Sequence, residues 1–170
     1  MLHFAPEPAL ATRLRKAAGN YVSVDIDRSR SPSVVADITE LPFDDASFDL
    51  VLCSHVLEHV PDDGRAMREM NRVLRSAGVA LIQSPVNYEM EKTLEAPGVT
   101  SPEERERLFS QPDHVRVYGR DLRDRLEAAG FVVSVDFYAG ELSEAEATRQ
   151  GLMPTFGPLR NDLYVCRRRA

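Results

Sequence analysis

Three histidines lie in two short segments whose side chains could move protons. His55 and His59 belong to the segment HVLEH, and His114 belongs to PDHVR. An unperturbed imidazole titrates near neutral pH, so each of these histidines is a candidate catalytic base. If HVLEH begins a helix, its two histidines project from one face, one turn apart. Histidines that only order a loop through hydrogen bonds explain the same pattern equally well.

Two aspartates follow short apolar runs and could hold a nucleoside. Asp25 ends VSVD, and Asp37 begins the segment DITELPFDDASFDLVLCSHVLEHVPDD. In a doubly wound sheet, a carboxylate at the end of a strand can accept both hydroxyl groups of a ribose. An aspartate that caps a loop explains Asp25 as well as a ribose ligand does. The segment after Asp37 is more specific, because it joins an acid, a turn, a buried strand and a helix start.

The elements that must position these residues alternate between strands and helices. This alternation predicts an α/β fold with a mostly parallel sheet covered by helices. Runs rich in Val, Ile and Phe are predicted as strands at residues 2–5, 21–26, 34–36, 48–53, 79–84, 131–137 and 162–167. We expect a single domain over residues 1–170. The long, polar, proline-bearing stretch 85–112 is predicted to be a lid or a substrate-facing insertion.

Apolar spacing and capping residues predict the helices. The first helix begins at Pro8, ends at Gly19, and turns these residues inward: Leu10, Leu14 and Ala17. The second starts at Asp62 or Asp63 and stops at Gly78, with an apolar stripe formed by Met67, Met70, Val73, Leu74 and Ala77. A third covers residues 121–129. Two shorter helices have capping-box pairs, namely Ser101 with Glu104 and Ser143 with Glu146.

The chain closely resembles the class I S-adenosylmethionine-dependent methyltransferases, in particular the type 11 group. The resemblance lies in D-x-x-x-L-P-F-x-D-x-S-F-D-x-V, which starts at Asp37, and in the following x-V-L-E-H-V. The later segments RVLRSAGVALIQSP and DHVRVYGRDLRDRLEAAGFVV also resemble this family. The resemblance implies a Rossmann-like methyltransferase fold, with a seven-stranded, mostly parallel sheet, an antiparallel last strand and helices on both faces.

The same resemblance implies S-adenosylmethionine as cofactor, a small-molecule acceptor and a set of cofactor contacts. Asp25 would bind the ribose, Asp37 the adenine amino group, and Ile38 would pack beside the ring. Cys53, Ser54 and His55 would border the methionine end and the reactive methyl group. The expected cofactor contacts are Phe4, Ala5, Glu7, Asp25, Ile26, Asp37, Ile38, Cys53 and Ser54. His55, His59 and His114 are the candidate catalytic residues, and the leading interpretation includes no metal.

Two departures from the family pattern support a rival interpretation. The glycine-rich loop after the first strand is replaced by LHFAPEPA, in which Ala5, Glu7 and Ala9 stand where glycines are expected. A Cβ atom at these positions restricts positive φ and close backbone approach. In addition, only residues 27–33 join the second and third strands, whereas parallel neighbours normally need a dozen or more. The rival is a degenerate methyltransferase fold that binds a protein partner and no cofactor.

A metal-dependent methyltransferase is the third interpretation. Small-RNA 2′-O-methyltransferases resemble this chain in placing an E-x-x-E-H motif and a later histidine around a divalent ion. The matching positions are His55, Glu58, His59 and His114, with His55 in place of a glutamate. A histidine-rich set favours zinc, manganese or cobalt over magnesium. The alternative is that Glu58 and His59 order a loop while His114 packs near the pocket mouth.

Charge and hydropathy exclude several classes of protein. The chain has 21 Lys and Arg against 27 Asp and Glu, a net charge of −6, which argues against a face for duplex nucleic acid. No apolar run approaches the length of about 18 residues that a membrane span needs. Without a signal-peptide pattern, a cytoplasmic location is expected. Cys53 and Cys166 are expected to be free and buried, and the sparse cover over the first strand is compatible with a homodimer.

Overall fold

The computed structural model describes residues 1–137, 142–149 and 159–169. The described helices are α1 (Pro8–Ala17), α2 (Asp63–Val73), α3 (Pro102–Phe109), α4 (Leu122–Ala128) and α5 (Glu144–Arg149). The strands are β1 (Leu2–Phe4), β2 (Val22–Asp25), β3 (Val34–Val35), β4 (Phe48–Ser54), β5 (Leu74–Gln83), β6 (Val86–Asn87), β7 (Leu94–Glu95), β8 (Arg116–Val117), β9 (Phe131–Asp136), β10 (Leu159–Arg160) and β11 (Leu163–Arg168). Short 3₁₀ turns lie at Arg28–Arg30 and Leu57–His59.

The predicted seven-stranded sheet is confirmed. Its strand order is β3-β2-β1-β4-β5-β11-β9. The first five strands in this order pair in parallel, and β11 runs antiparallel to both β5 and β9. The order reverses between β1 and β4, and at such a switch point the carboxyl ends of the strands diverge to leave a crevice. The sheet therefore provides a binding edge near the ends of β1, β2 and β4.

Among the described residues, one face of β4 and β5 is more deeply buried than the other. Helices α2 and α4 lie over β5 and β9, and they bury a core that includes Val51, Cys53, Ile82 and Phe131. The right-handed crossover rule places α1 on the opposite face. There, alternate side chains of β4 and β5 remain half-buried. Cys53 and Cys166 are both free and buried, as predicted.

Of the three residues predicted to face inward on α1, Leu14 is half-buried, but Leu10 and Ala17 are not turned inward. Leu10 is 37% exposed, Ala17 is also exposed, and the buried side chain is Ala11. The apolar stripe is formed by Ala11, Leu14 and Ala18, which share a face at spacings of three and four residues. Pro8 does begin the helix, as predicted.

The predicted end of α2 is also wrong. The helix stops at Val73, and the chain enters β5 at Leu74, which pairs with Phe48. Gly78 therefore does not end a helix; it lies within a strand. A Cβ atom there would stand 2.7 Å from Leu74 Cδ1 and 3.0 Å from the Asp49 carbonyl oxygen, so only glycine lets the two strands approach this closely.

The short crossing between β2 and β3 contains only the 3₁₀ turn and no full helix. Two serine side chains secure it, because Ser33 N–H donates to Ser23 Oγ at 2.9 Å and Ser23 N–H donates to Ser33 Oγ at 3.2 Å. These bonds replace part of the cover that a longer crossover would supply.

The stretch 85–112 is docked against the rest of the chain. Within it, β6 pairs with β10, β7 pairs with β8, and α3 begins at Ser101, whose side chain accepts from Glu104 N–H as the capping box predicts. Thr93 donates to the Asp121 carboxylate from both its backbone N–H and its hydroxyl group. The role of the stretch 85–112 as a lid stays a prediction. Within the described residues, no helix is long and apolar enough to cross a lipid bilayer.

A buried ion cluster joins this stretch to α2 and α4. Asp63, at the start of α2, accepts two hydrogen bonds from Arg125 at 2.6 and 3.0 Å and one from Tyr118 Oη at 2.8 Å. Arg116 and Glu95 complete the cluster. Burial alone would raise the pKa of Asp63, but the bond from Arg125 and the charge of Arg116 outweigh it and hold this pKa below its usual value.

We expect Asp63→Asn to lower the free energy of unfolding by about 3 kcal/mol at pH 7, because it leaves the buried guanidinium group of Arg116 and the half-buried one of Arg125 short of a negative charge. Since the folded pKa lies below the unfolded one, the contribution of Asp63 is complete above about pH 4 and is lost as the pH falls through the folded pKa. Urea unfolding between pH 7 and 3 measures both effects.

Asp62→Asn is the matched control for this substitution. The Asp62 side chain caps α2 by accepting from Arg65 N–H at 2.8 Å, and asparagine caps a helix equally well. Equal stability losses in the two variants would contradict a role for the buried charge.

Candidate functional site

A cavity of about 490 Å³ opens at the carboxyl ends of β1, β2 and β4, where the strand order reverses. Its walls come from the ends of β1 and β2, from the loops after β1, β2, β3 and β4, and from residue 113. The lining residues are Phe4, Ala5, Val24, Asp25, Ile26, Asp27, Arg30, Ala36, Asp37, Ile38, His55, Val56, His59, Val60, Pro61 and Asp113. The structure therefore brings together eight of the predicted site residues, which are Phe4, Ala5, Asp25, Ile26, Asp37, Ile38, His55 and His59.

Asp25 presents a buried carboxylate oxygen to this cavity. Its side chain is only 7% exposed, and Oδ1 accepts from Asp27 N–H at 2.9 Å. Oδ2 is buried and accepts no hydrogen bond, although Arg30 Nε lies 3.8 Å away. A buried polar atom without a partner is costly, so this oxygen is poised to accept a hydrogen bond from a ligand hydroxyl group.

The far end of the cavity combines an exposed carboxylate with apolar surfaces. Oδ1 of Asp37 accepts from both the N–H and the hydroxyl group of Thr39, which fixes the side chain in an Asx turn. Ile38 beside it is buried, whereas Ile26 is 72% exposed. A flat aromatic ring could pack between these aliphatic side chains while a polar edge meets Asp37.

The glycine-poor loop after β1 adopts the conformation that glycine normally supplies. Ala5 has φ of 41°, in the left-handed region, and its N–H donates to the Val24 carbonyl at 2.9 Å. Of the three positions where glycines are expected, Ala5 takes a positive φ with its Cβ atom in place, whereas Glu7 has φ of −66° and Ala9 lies within α1. Compared with glycine at this position, alanine is strained, because a left-handed conformation costs a residue with a side chain of order 1–2 kcal/mol.

Glu7 does not line the cavity. Its Oε2 lies 3.4 Å from Nε2 of His3, a buried imidazole whose Nδ1 is 2.9 Å from Tyr21 Oη. Burial lowers the pKa of His3, and the carboxylate of Glu7 opposes that effect only in part. This contact places Glu7 beside a core histidine, so its predicted contact with the cofactor stays a prediction.

His55 stands at the opposite wall in a strained backbone conformation. Its φ is 52°, and its N–H donates to the Gln83 carbonyl at 2.9 Å. Nδ1 lies 3.3 Å from Oε1 of Glu58, a close contact that is not a well-aligned hydrogen bond. Contact with this carboxylate raises the pKa of His55, against the opposing effect of burial. The pair could hold a proton at Nδ1 and leave Nε2 free to accept another.

Glu58 is buried beneath the cavity wall and also accepts from the hydroxyl group of Ser84. Burial alone would raise the pKa of Glu58, but the contacts from His55 and Ser84 outweigh it and lower this pKa. The carboxylate is therefore charged at neutral pH and binds two neighbours.

His59 and His114 contact each other edge to face, with ring centroids 4.7 Å apart. One nitrogen of each ring and one oxygen of Glu58 lie within 4.8 Å of one another, so these residues could hold a divalent transition-metal ion. His55, the fourth predicted member of a metal set, is not part of this group. Nδ1 of His114 lies 3.2 Å from the Phe109 carbonyl, and burial together with the charge of His59 lowers the pKa of His114.

Cys53 and Ser54 are near the cavity but do not line it. Cys53 is fully buried in the hydrophobic core, where burial raises the pKa of its thiol well above the usual range. The hydroxyl group of Ser54 donates to Gln83 Oε1 at 3.3 Å. Because β4 alternates its side chains, Cys53 faces the helices and not the cavity. Its predicted cofactor contact could be made only through the backbone.

Several residues that line the cavity were not predicted from the sequence. Asp27 and Arg30 follow β2, where the charged run DIDRSR was the available signal. Arg30 Nε lies 3.6 Å from Asp27 Oδ2. Asp113 reaches the cavity from the segment PDHVR, and Oδ2 of Asp113 lies 3.4 Å from Nδ1 of His59. Local patterns do not show that this distant segment meets the ends of the strands.

Comparisons with known proteins agree with this geometry. Residues 6–82 match the family model described as a methyltransferase domain. The chain is 35% identical over 126 residues to a probable S-adenosylmethionine-dependent methyltransferase of Mycobacterium tuberculosis (strain CDC 1551 / Oshkosh), covering 68% of this chain and 42% of that protein. The chain thus spans less than half the length of the first curated relatives that it matches.

Two crystal structures share the fold. An S-adenosylmethionine-dependent methyltransferase from Mesorhizobium loti has a TM-score of 0.68 at 18% identity, covering 98% of this chain and 89% of that one. The 1,6-didemethyltoxoflavin-N1-methyltransferase of Burkholderia thailandensis, with bound 1,6-didemethyltoxoflavin and S-adenosylhomocysteine, has a TM-score of 0.62 at 15% identity, covering 99% of this chain and 71% of that one.

We expect Ala5→Gly to raise the free energy of unfolding by about 1 kcal/mol, because it removes left-handed strain that exceeds the entropy cost of glycine. Ala9→Gly, within α1, is the matched control and is expected to lower stability by about 0.5 kcal/mol. Urea unfolding of both variants measures the difference. A loss of stability in Ala5→Gly would show that the left-handed turn is not strained.

Proposed function

The chain belongs to the class I S-adenosylmethionine-dependent methyltransferase family, and we propose that it transfers a methyl group from S-adenosylmethionine to a small-molecule acceptor. The observation that carries this proposal is the carboxylate of Asp25, which lines the cavity and has a buried oxygen, Oδ2, without a hydrogen-bond partner. A ribose diol offers two adjacent hydroxyl donors, and the carboxylate of Asp25 has one free oxygen and one that accepts a single backbone bond.

The rest of the cavity supports a nucleoside in the same orientation. Asp37 would accept from the adenine amino group, and Ile26 and Ile38 would pack against the ring. Arg30, beside Asp25, would lie over the outer rim of this subsite. Phe4 and Ala5 would contact the cofactor where the chain leaves β1.

His55 is proposed as the group that receives a proton from the acceptor. Bound S-adenosylmethionine supplies an electrophilic methyl group, and an acceptor that must lose a proton needs a base near that carbon. Glu58 holds Nδ1 of His55, which leaves Nε2 to take the proton. His59 lines the same wall and His114 supports its ring, so both are proposed to orient the acceptor. Aligned binding of the two reactants supplies the remaining rate enhancement.

The small-molecule acceptor is supported by the solved relative from Burkholderia thailandensis, which holds a small molecule beside S-adenosylhomocysteine. The stretch 85–112 packs next to the side of the cavity that carries His55 and His59, and we propose that it shapes the acceptor pocket. A homodimer, a cytoplasmic location and the lack of a duplex nucleic-acid partner stay predictions.

The two alternatives are less well supported. The relatives are named as methyltransferases, which favours methyl transfer over a degenerate fold. A metal-assisted transfer has the Glu58, His59 and His114 group in its favour. Against it, His55 and Ser84 already engage the two oxygens of the Glu58 carboxylate.

Titration calorimetry with S-adenosylhomocysteine tests the cofactor site. We expect Asp25→Ala to weaken binding about 100-fold and Asp37→Ala about tenfold, through loss of hydrogen bonds to charged groups. Asp44→Ala, an exposed residue outside the cavity, is the control and should bind as the parent does. Unchanged affinity in the two cavity variants would place the cofactor elsewhere, and a folded parent that does not bind would favour the degenerate fold.

Release of S-adenosylhomocysteine during a screen of small hydroxyl, amine and thiol compounds would identify an acceptor. With that acceptor, His55→Asn is expected to lower the turnover rate about 100-fold or more while leaving cofactor affinity unchanged. Asparagine tolerates the left-handed conformation of residue 55, so folding should be retained. Exhaustive chelation is expected to leave the rate unchanged, and loss of activity after chelation would favour the metal-assisted reaction.

A further inference from the structure

Arg116 is a buried cation whose donors point at the backbone of the cavity wall. Its side chain is only 3% exposed. Nη1 donates to the carbonyl groups of Leu57, at 2.7 Å, and Val60, and Nη2 donates to the Pro61 carbonyl at 2.9 Å. The planar guanidinium group thus donates hydrogen bonds to three carbonyl groups in and just after the 3₁₀ turn Leu57–His59.

The residues so held are part of the wall itself. His59, Val60 and Pro61 line the cavity, and the turn also carries Glu58, the partner of His55. The segment around Arg116 adds one further bond to this turn, from Val115 N–H to the Glu58 carbonyl at 2.9 Å, and Tyr118 Oη lies 3.4 Å from the Leu57 carbonyl. Without Arg116, the carbonyl groups of Val60 and Pro61 would lose a buried donor.

The other edge of Arg116 faces the stretch that packs beside the site. Nε donates to Oε1 of Glu95 at 2.8 Å, and Glu95 belongs to β7, which pairs with β8, the strand that carries Arg116. One guanidinium group therefore contacts both the cofactor-cavity wall and the stretch 85–112. A lysine has the charge but lacks the planar fork needed to bond these acceptors together.

We propose that Arg116 is a positioning residue that sets the geometry of the wall formed by residues 55–61 and couples it to the docked stretch 85–112. This inference rests on the proposed function, because the wall matters for affinity only if the cavity holds the cofactor. It assigns Arg116 no contact with either reactant. Its effect is exerted through the 3₁₀ turn.

The neighbouring Arg125 provides a matched control. It belongs to the same buried ion cluster, bonding Asp63 and, at 3.0 Å, Glu95. Unlike Arg116, it has no hydrogen bond to the carbonyl groups of residues 57–61 among those of the described chain. Both Arg→Lys variants disturb the cluster, but only Arg116→Lys releases the wall.

Two measurements on the full chain test the proposal. Hydrogen–deuterium exchange is expected to be at least tenfold faster in the peptide covering residues 55–61 in Arg116→Lys than in Arg125→Lys. Calorimetry is expected to show about tenfold weaker S-adenosylhomocysteine binding in Arg116→Lys, and parent-like binding in Arg125→Lys, the loss typical of one or two buried hydrogen bonds. Thermal unfolding shows whether both variants fold.

The outcomes separate this proposal from the proposed function. If both variants change exchange at residues 55–61 to the same extent, Arg116 is only a member of the ion cluster and the proposal is wrong. If the wall loosens but affinity does not change, the turn does not position the cavity and the proposal is also wrong. If the folded parent does not bind S-adenosylhomocysteine, the proposed function fails, and this outcome also overturns the coupling that rests on it.

Discussion

A buried guanidinium group must be surrounded by acceptors, and this requirement organises one side of the molecule. Arg116 satisfies it with the carbonyl groups of Leu57, Val60 and Pro61, with Glu95 and with the nearby carboxylate of Asp63. Breaking such a set leaves an uncompensated charge in the interior, which is strongly destabilising. Because its partners belong to three separate parts of the chain, a single side chain fixes the relative placement of the cavity wall, the start of α2 and β7.

Two residues that line the cavity have a left-handed backbone conformation. Ala5 follows β1 and His55 follows β4, and both have positive φ. Phe4 pairs with Cys53, so the two turns occur at nearly the same level of adjacent strands. The segments that follow β1 and β4 therefore leave the sheet at nearly the same level, and a space remains between these two segments. Neither residue is glycine, so the surrounding contacts have to hold both conformations against their intrinsic strain. Strain at both positions is consistent with a functional edge of the sheet.

The strands of the sheet could be predicted from the sequence because each one is marked by a local pattern of apolar residues. Alternation of apolar runs and helical stripes is visible in any short window, and the resemblance around Asp37 located the strand ends that line the cavity. The predictions failed where tertiary contacts decide. Leu74 fits the stripe of α2, but pairing with Phe48 draws it into β5. The contact of Glu7 with the buried His3 was likewise not visible in the sequence. Arg116, in a segment without periodicity, gave no sign of its distant carbonyl partners.

The short crossing between β2 and β3 decides how the cavity can bind its ligand. A longer crossover would cover the end of β2, whereas here Ile26 is 72% exposed at the rim. A ligand at this rim would stay partly in contact with water. In the proposed nucleoside site, polar contacts would therefore supply more of the affinity, and the buried carboxylate of Asp25 would be the strongest of them, because water competes poorly for a buried group. The loss of cover above β2 thus makes the carboxylate at its end more important to binding.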